Sequence, residues 1–378
     1  MINCIESCEL NEWTERGNIM EGKTSSKNIL KFAGAYVACA IGSGFATGQE
    51  ILQFFTAHGT LSIAGSFITM VLFSLLGGNV MKHARELELE VPGHIVKYYF
   101  GNTFGKIFEI IFQAFLYAIF VIMIAGAGAT LAEYYGIHPL VGRIGMAAIA
   151  FLSVTLSLTK LTDILGSMGT LIVIFAIIVG LVSFLKNMDG FSNANEVVSS
   201  LEMTKSGGNW FFASILYPGF NIIAVLVFSA GVGSTANNRQ EAFYGGLLGG
   251  ILFGLAILCM NFGLLSQVGS IFDKEVPSLV LADQIGRVIG IVFSVILICG
   301  IYTTAVPMLW SVSSQFAKEK TKKFAVVALI LTVVALVLGM TDFSKLVNII
   351  YPFSGYVGII LMLLIFYRAI VNKQKEKS

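Results

Sequence analysis

Hydrophobic residues gather into ten long runs along this chain, and short polar stretches separate the runs. A helix needs roughly 20 apolar residues to cross a bilayer, and most of the runs reach that length. The pattern therefore predicts an all-α polytopic membrane protein with ten transmembrane helices, which we call spans 1 to 10. The predicted spans are 29–57, 61–81, 104–132, 140–159, 163–185, 210–234, 242–268, 286–316, 323–340 and 345–370.

Span 1 carries a polar, glycine-rich interruption at its centre. Segment 42–50 reads GSGFATGQE, with three glycines in seven positions followed by a glutamine and a glutamate. Each glycine destabilises a helix by about 1 kcal/mol, and a carboxylate at membrane depth is costly unless it faces a cavity or a partner. The segment therefore predicts a broken helix whose free backbone groups line a binding site. The alternative is a close-packed glycine face with a glutamate that reaches the membrane surface.

Two stretches 185 residues apart have the same landmarks. Stretches 91–101 and 276–286 both begin with Val-Pro, end with glycine and precede a long apolar run. The same offset relates three further pairs: Gly105 and Gly290, Phe108 and Phe293, and Tyr117 and Tyr302. Five spans separate the copies, so the second copy would enter the membrane in the opposite orientation. This predicts inverted five-helix repeats at 29–185 and 210–370, joined by an extracellular loop at 186–209.

The repeat also predicts that span 6 is interrupted where span 1 is. Segment 217–221 reads YPGFN inside an apolar run. Proline removes an amide and clashes with the preceding turn, glycine permits a bend, and asparagine can bond to freed backbone groups. A simple proline kink is the alternative. Interrupted helices at corresponding positions of two repeats are the best sequence indication of a transport site.

Composition and charge support a membrane protein and give its orientation. The chain is 56% hydrophobic and 12% charged, with a mean hydropathy of +0.82, whereas soluble domains are about 25% charged. If the N-terminus is cytoplasmic, 18 of the 24 Lys and Arg residues lie on the inner side, as the positive-inside rule favours. We therefore expect both termini in the cytoplasm, with a disordered tail at 1–28 and a short tail at 371–378. Met1 and Met20 are alternative starts.

The sequence gives little support for catalysis. The five cysteines show no paired ligand spacing, and neither a nucleophile–base pair nor a phosphate-binding motif occurs. The four histidines are spread over loops and span ends: His58, His83, His94 and His138. We expect no enzyme, no cofactor and no nucleic-acid partner. The expected partners are a small solute and the lipid bilayer, and the oligomeric state stays open.

Segment 42–51, which opens this ten-span chain, resembles the YkvI family of bacterial membrane proteins. More distantly, the architecture is similar to that of the amino acid–polyamine–organocation superfamily, whose members share the LeuT fold. The resemblance implies a LeuT-like 5+5 inverted repeat with helices 1 and 6 broken around a central substrate. Spans 3 and 8 would lie beside the break, and the protein would lie in a bacterial plasma membrane.

The resemblance also implies a sodium site. Many LeuT-fold symporters bind Na+ with carbonyls of the span 1 break and with a small-x-x-Thr/Ser-Thr/Ser motif on span 8. The matching residues here are Gly300, Thr303 and Thr304 on span 8 and the carbonyls of Ala38 and Ile41 on span 1. The alternative is that the two hydroxyls bond to carbonyls of their own helix.

Glu50 is the residue that could carry a proton or bind the amine of a substrate. A second sodium site is not expected, because Phe45 stands where neurotransmitter-type members have an asparagine. The candidate substrate-binding residues are Gly42, Ser43, Gly44, Phe45, Gln49, Glu50, Gln113, Tyr117, Tyr217, Gly219, Asn221 and Tyr302.

These observations predict a secondary active transporter that works by alternating access. The solute would be an amino acid or a related amine, with Na+ or H+ as the coupling ion. The alternative is a ligand-sensing membrane receptor or accessory subunit that does not transport. The sequence leaves the substrate, the coupling ion and the stoichiometry open.

Overall fold

The computed structural model describes residues 23–89, 93–155 and 161–375, and within these ranges the chain contains helices and no strand. Residues 1–22 and the start of the first repeat stretch lie outside the described residues. So do the side chains of Ser43, Asn102, 161–170 and 372–375. The prediction of an all-α protein is confirmed.

Helices occupy all ten apolar runs within the described ranges. Span 1 consists of three helices, Ser26–Ala40, Ser43–Thr47 and Gln49–Phe54, followed by a 3-10 turn at Thr56–His58. Spans 2 to 10 are Leu61–Glu86, His94–Tyr135, Pro139–Thr155, Leu161–Lys186, Trp210–Ser234, Arg239–Ser266, Arg287–Phe316, Lys322–Leu338 and Phe343–Lys375.

Six of the described helices are long and apolar enough to cross a membrane. They are Leu61–Glu86, Thr103–Tyr135, Trp210–Ser234, Arg239–Ser266, Arg287–Phe316 and Phe343–Val371. The structure supports a multi-pass membrane protein, and the number of ten crossings stays a prediction.

The predicted tails and loop contain helix where the structure describes them. Span 1 begins at Ser26 and span 10 continues to Lys375, so parts of the predicted tails 1–28 and 371–378 are helical. The segment between spans 5 and 6 forms two short helices, Met188–Ser192 and Ala194–Ser200. Spans 1 and 10 extend beyond their predicted bounds because polar residues can continue a helix through its backbone hydrogen bonds.

Glycine allows spans 2 and 7 to pack with their backbones in contact. A Cβ on Gly77 of span 2 would lie 3.0 Å from the Gly246 carbonyl oxygen of span 7. Tyr36 of span 1 fills the neighbouring space, and its hydroxyl donates to the Phe73 carbonyl at 3.2 Å. Small residues at such contacts are typical of helix packing in membranes. Spans 1, 2 and 7 therefore form a close-packed group around the first half of span 1.

Both repeat stretches contain a glycine that interrupts the helix where the structure describes them. Span 3 contains a non-helical residue at Gly101, with φ 70° and ψ −179°. In the second stretch, helix Pro277–Ile285 is followed by Gly286, with φ 173° and ψ 140°, and span 8 begins at the next residue. The two interruptions are the two glycines that the 185-residue offset relates. The inverted five-helix repeat itself stays a prediction.

Candidate functional site

Span 1 is broken at the predicted position. Its first helix ends at Ala40, and Ile41 and Gly42 are extended, with ψ angles of 98° and 175°. A short helix follows and ends at Gly48, which has φ 78°. Glycine adopts this left-handed conformation readily, whereas other residues rarely do. The local sequence therefore explains both interruptions, and the prediction of a broken span 1 is confirmed.

The Glu50 side chain folds back against the break. Glu50 is 3% exposed, and its carboxyl lies directly beside Gly44. A Cβ at position 44 would overlap the Glu50 Oε1 atom and lie only 2.8 Å from the carboxyl carbon. Glycine is therefore required at position 44 for the carboxyl to occupy this place. The structure brings together two residues that the sequence nominated for the site.

Two tyrosine hydroxyls from other spans meet the same carboxyl. The Tyr217 hydroxyl of span 6 donates to Glu50 Oε2 at 2.9 Å. The Tyr351 hydroxyl of span 10 lies near the same carboxyl and interacts with it electrostatically. Sequence reasoning nominated Tyr217 and missed Tyr351. A signal was present, because Tyr351-Pro352 repeats the Tyr-Pro pair of span 6 inside another apolar run.

Aromatic rings enclose this group of three side chains. Phe54 and Phe55 approach the Tyr217 ring with centroid distances of 5.4 and 5.1 Å. Phe220 stacks on Tyr351 at 4.4 Å with nearly parallel planes. All five of these rings are buried. A carboxyl in such surroundings holds a negative charge only at a high cost unless a cation or a proton joins it.

Span 6 is not broken, and that prediction was wrong. It is a continuous helix over Trp210–Ser234 with Pro218 inside it. Pro218 leaves the Ser214 carbonyl without its usual amide, and the Thr69 hydroxyl of span 2 donates to that oxygen at 2.8 Å. The Asn221 side chain donates to the Tyr217 carbonyl at 3.1 Å. Because donors from side chains replace the lost amide, the helix need not unwind.

Gly219 lies at a helix–helix contact. A Cβ there would lie 2.7 Å from the Gly355 carbonyl oxygen of span 10. Span 10 therefore packs closely on the segment of span 6 that carries Tyr217.

The span 8 threonines bond within their own helix. Thr303 and Thr304 both donate to the Gly300 carbonyl, at 2.8 and 3.1 Å. This is the arrangement that the alternative interpretation expected. Ala38 lies in the last turn of the first helix and Ile41 in the extended link, as the proposed sodium site requires. The sodium site stays a prediction.

Two tyrosines that were expected beside the substrate point toward other helices. The Tyr117 hydroxyl of span 3 donates to the Leu331 carbonyl of span 9 at 2.8 Å. The Tyr302 hydroxyl of span 8 lies 2.8 Å from Ser153 Oγ of span 4. In the predicted repeat, span 3 corresponds to span 8, and span 4 corresponds to span 9. The two hydrogen bonds therefore follow the repeat, and neither tyrosine hydroxyl joins the Glu50 group.

The remaining candidates surround the break at different distances. Gln49 donates to the Lys274 carbonyl at 3.2 Å, and its Oε1 atom is buried with no hydrogen-bond partner among the described residues. Phe45 is buried with its ring 5.3 Å from that of Phe253. Gln113 accepts from the Ser311 hydroxyl at 3.4 Å. Gly42 is in the extended link, whereas the side chain of Ser43 lies outside the described residues.

A polar network ties the end of span 1 to span 10 and to the loop before span 6. Gln53 donates to the Ser344 carbonyl at 3.0 Å and accepts from Asn348 at 3.2 Å. Its backbone carbonyl accepts from the Ser206 amide at 3.0 Å. Sequence reasoning did not find this network, which joins three distant segments of the chain.

A second network ties the start of span 1 to the turn between spans 6 and 7. The buried Glu241 carboxyl accepts from the Ser25 amide at 2.8 Å and from the Asn28 side chain at 3.1 Å. The amide and side chain of Asn237 donate to it at 3.1 and 3.2 Å. The buried Glu241 carboxyl therefore holds the start of span 1 against this turn.

The chain is similar to two proteins of Bacillus subtilis (strain 168). It is 22% identical over 340 residues to the uncharacterized membrane protein YkvI, covering 90% of this chain and 95% of that protein. It is 27% identical over 335 residues to the uncharacterized protein YyaD, covering 89% and 95%. The predicted resemblance to YkvI is confirmed. No family model matches the chain.

The fold is similar to those of solved transporters. A Na+-coupled sialic acid symporter matches with a TM-score of 0.57 at 13% identity, over 95% of this chain and 84% of that one. A mutant of the Eremococcus coleocola manganese transporter matches at 0.56 and 17%, over 92% and 79%. MhsT in complex with L-phenylalanine matches at 0.50 and 14%, over 91% and 89%. These neighbours are LeuT-fold transporters and not enzymes.

Proposed function

Because the chain shares its fold with LeuT-type secondary transporters, we propose that it is itself a secondary active transporter. It moves a small organic solute by alternating access through a site at the break in span 1. The observation that carries this proposal is the position of Glu50. Its buried carboxyl fills the space beside Gly44, accepts a hydrogen bond from the Tyr217 hydroxyl of span 6 and lies near the Tyr351 hydroxyl of span 10. A carboxyl at membrane depth is costly, so its presence indicates a functional role and not merely helix packing.

The proposed coupling ion is H+, carried by Glu50, with Na+ as the alternative. No Lys, Arg or His forms an ion pair with Glu50 among the residues that the structure describes. A proton or a cationic group of the solute must therefore balance the carboxylate. The hydroxyls of Thr303 and Thr304 donate to their own helix and keep oxygen lone pairs for a cation, so Na+ stays the alternative while the buried Glu50 carboxyl favours the proton.

The proposed solute is an amino acid or a related amine. An amine can form a charge-assisted hydrogen bond to the Glu50 carboxyl, and aromatic rings around it favour an organic cation. Solved neighbours bind solutes as different as L-phenylalanine and sialic acid. A thermal-shift screen of the purified protein would identify the solute class. It would compare amino acids, polyamines, nucleobases and MnCl2, each in NaCl and in KCl, because a ligand of the native state stabilises it.

Uptake by proteoliposomes tests the proposal itself. We expect a solute from the screen to accumulate when a pH gradient is imposed, and we expect Glu50→Gln to abolish this accumulation. Glu196→Gln is the matched control, because Glu196 is exposed on a short helix far along the chain from the break. Binding without flux in the wild-type protein would instead indicate a sensing receptor. Accumulation that requires Na+ and ignores the pH gradient would replace the proton with Na+.

A further inference from the structure

A groove separates the first helix of span 1 from the second half of span 6. It has a volume of about 430 Å³. Phe32 and Ala35 form one wall, and Val227, Phe228 and Val232 form the other. These walls are apolar over most of their surface, so the groove suits a hydrocarbon chain better than a polar solute.

The groove opens toward the surface that faces lipid. Phe228 is 47% exposed on its outer edge, and Leu30 of the neighbouring helix is 63% exposed. Exposed apolar side chains on membrane-spanning helices contact acyl chains. The groove is therefore open to lipid and is separate from the enclosed group around Glu50.

Positive charge lies at the polar end of the same groove. Lys31 lines the groove and is exposed, and Lys27 is exposed one helical turn earlier on the same side of the helix. Among the residues that the structure describes, no carboxylate pairs with either lysine. Lysines at a helix end extend their charge to the headgroup region while their stems stay in apolar surroundings.

We propose that this groove binds an anionic phospholipid. One acyl chain lies between span 1 and span 6, and the phosphate is held by Lys31 and Lys27. Charge complementarity selects an anionic lipid over a zwitterionic one, because basic groups between membrane helices attract anionic headgroups. The proposal concerns the lipid-facing surface, so it does not depend on the transported solute.

The test adds lipid to the delipidated protein in neutral detergent. Native mass spectrometry then measures how much lipid stays bound. The probes are phosphatidylglycerol and phosphatidylcholine with identical acyl chains. We expect bound phosphatidylglycerol on the wild-type protein and much less phosphatidylcholine. Lys31→Gln should weaken phosphatidylglycerol binding about five-fold, the effect of about 1 kcal/mol per lysine. Lys106→Gln, an exposed lysine outside the groove, should bind as the wild type does.

A second variant tests the acyl-chain part of the groove. Ala35→Trp places a large ring in the groove and should lower phosphatidylglycerol binding while Lys31 is intact. Thermal unfolding of the lipid-free Ala35→Trp variant reports whether it is folded. If it is not folded, the result for Lys31→Gln decides whether the groove binds the anionic lipid. Equal retention of both lipids, or wild-type binding by Lys31→Gln, would overturn the proposal and show a groove that takes any apolar chain.

Discussion

At the scale of the residue, Gly44 and the Glu50 carboxyl depend on each other for space. Gly44→Ala should displace the carboxyl, because the added methyl group would overlap it. Overpacking of this kind costs about 1–3 kcal/mol of folding free energy. We expect a lower unfolding temperature and loss of uptake driven by a pH gradient. Gly34→Ala is the control, because a Cβ at position 34 meets no atom within 4 Å, and it should behave as the wild type does.

Tyr351 should matter for coupling although it lies on the last span. Tyr351→Phe removes a hydroxyl that lies near the Glu50 carboxyl, and a polar partner of a charged group contributes about 1.5–3 kcal/mol. We expect uptake driven by a pH gradient to fall about tenfold. Tyr356→Phe changes a tyrosine on the same span that is 54% exposed. If both variants transport equally well, Tyr351 has no part in the site.

At the scale of the element, the hydroxyl of Thr69 keeps span 6 helical at Pro218. Thr69→Val should leave the buried Ser214 carbonyl without a donor, at a cost of about 1 kcal/mol. Pro218→Ala restores an amide in the helix, so the same threonine change should cost less in that background. Thermal unfolding of the two single variants and the double variant measures the difference. Equal losses in both backgrounds would show that Thr69 acts elsewhere.

The contrast between spans 1 and 6 shows what the sequence can predict. The break in span 1 follows in part from local residues, because Gly48 adopts the required left-handed backbone angles without help. The continuity of span 6 depends on Thr69, which is 145 positions away from the carbonyl it satisfies. Local propensity cannot reveal such a donor. Sequence reasoning therefore found the proline and glycine and predicted the wrong outcome for the helix.

The candidate site was predicted in part for the same reason. Glu50, Gly44 and Tyr217 were nominated from their own segments, and the structure joins them. Tyr117 and Tyr302 were placed on the correct spans, but the rotation of those spans turns their hydroxyls toward spans 9 and 4. Helix rotation is set by packing between distant segments, which a single sequence does not show.

At the scale of the whole molecule, Glu241 fastens the first helix of span 1 to the turn after span 6. Glu241→Gln replaces one acceptor oxygen with a donor, so bonds from Ser25, Asn28 or Asn237 must be lost. We expect faster hydrogen–deuterium exchange in residues 26–40, because the helix start is released. Peptides from span 10 should exchange at the wild-type rate. Unchanged exchange in 26–40 would show that other contacts hold the helix.

The carboxyl beside Gly44 also has a consequence for how tightly a solute binds. In this structure, the Glu50 carboxyl occupies the space beside Gly44 at the break and would compete with any incoming molecule. Only the fraction of molecules in which Glu50 has moved aside can bind, so the apparent dissociation constant equals the intrinsic one divided by that fraction. The protein would thus show modest affinity at equilibrium even if its open form recognises the solute strongly.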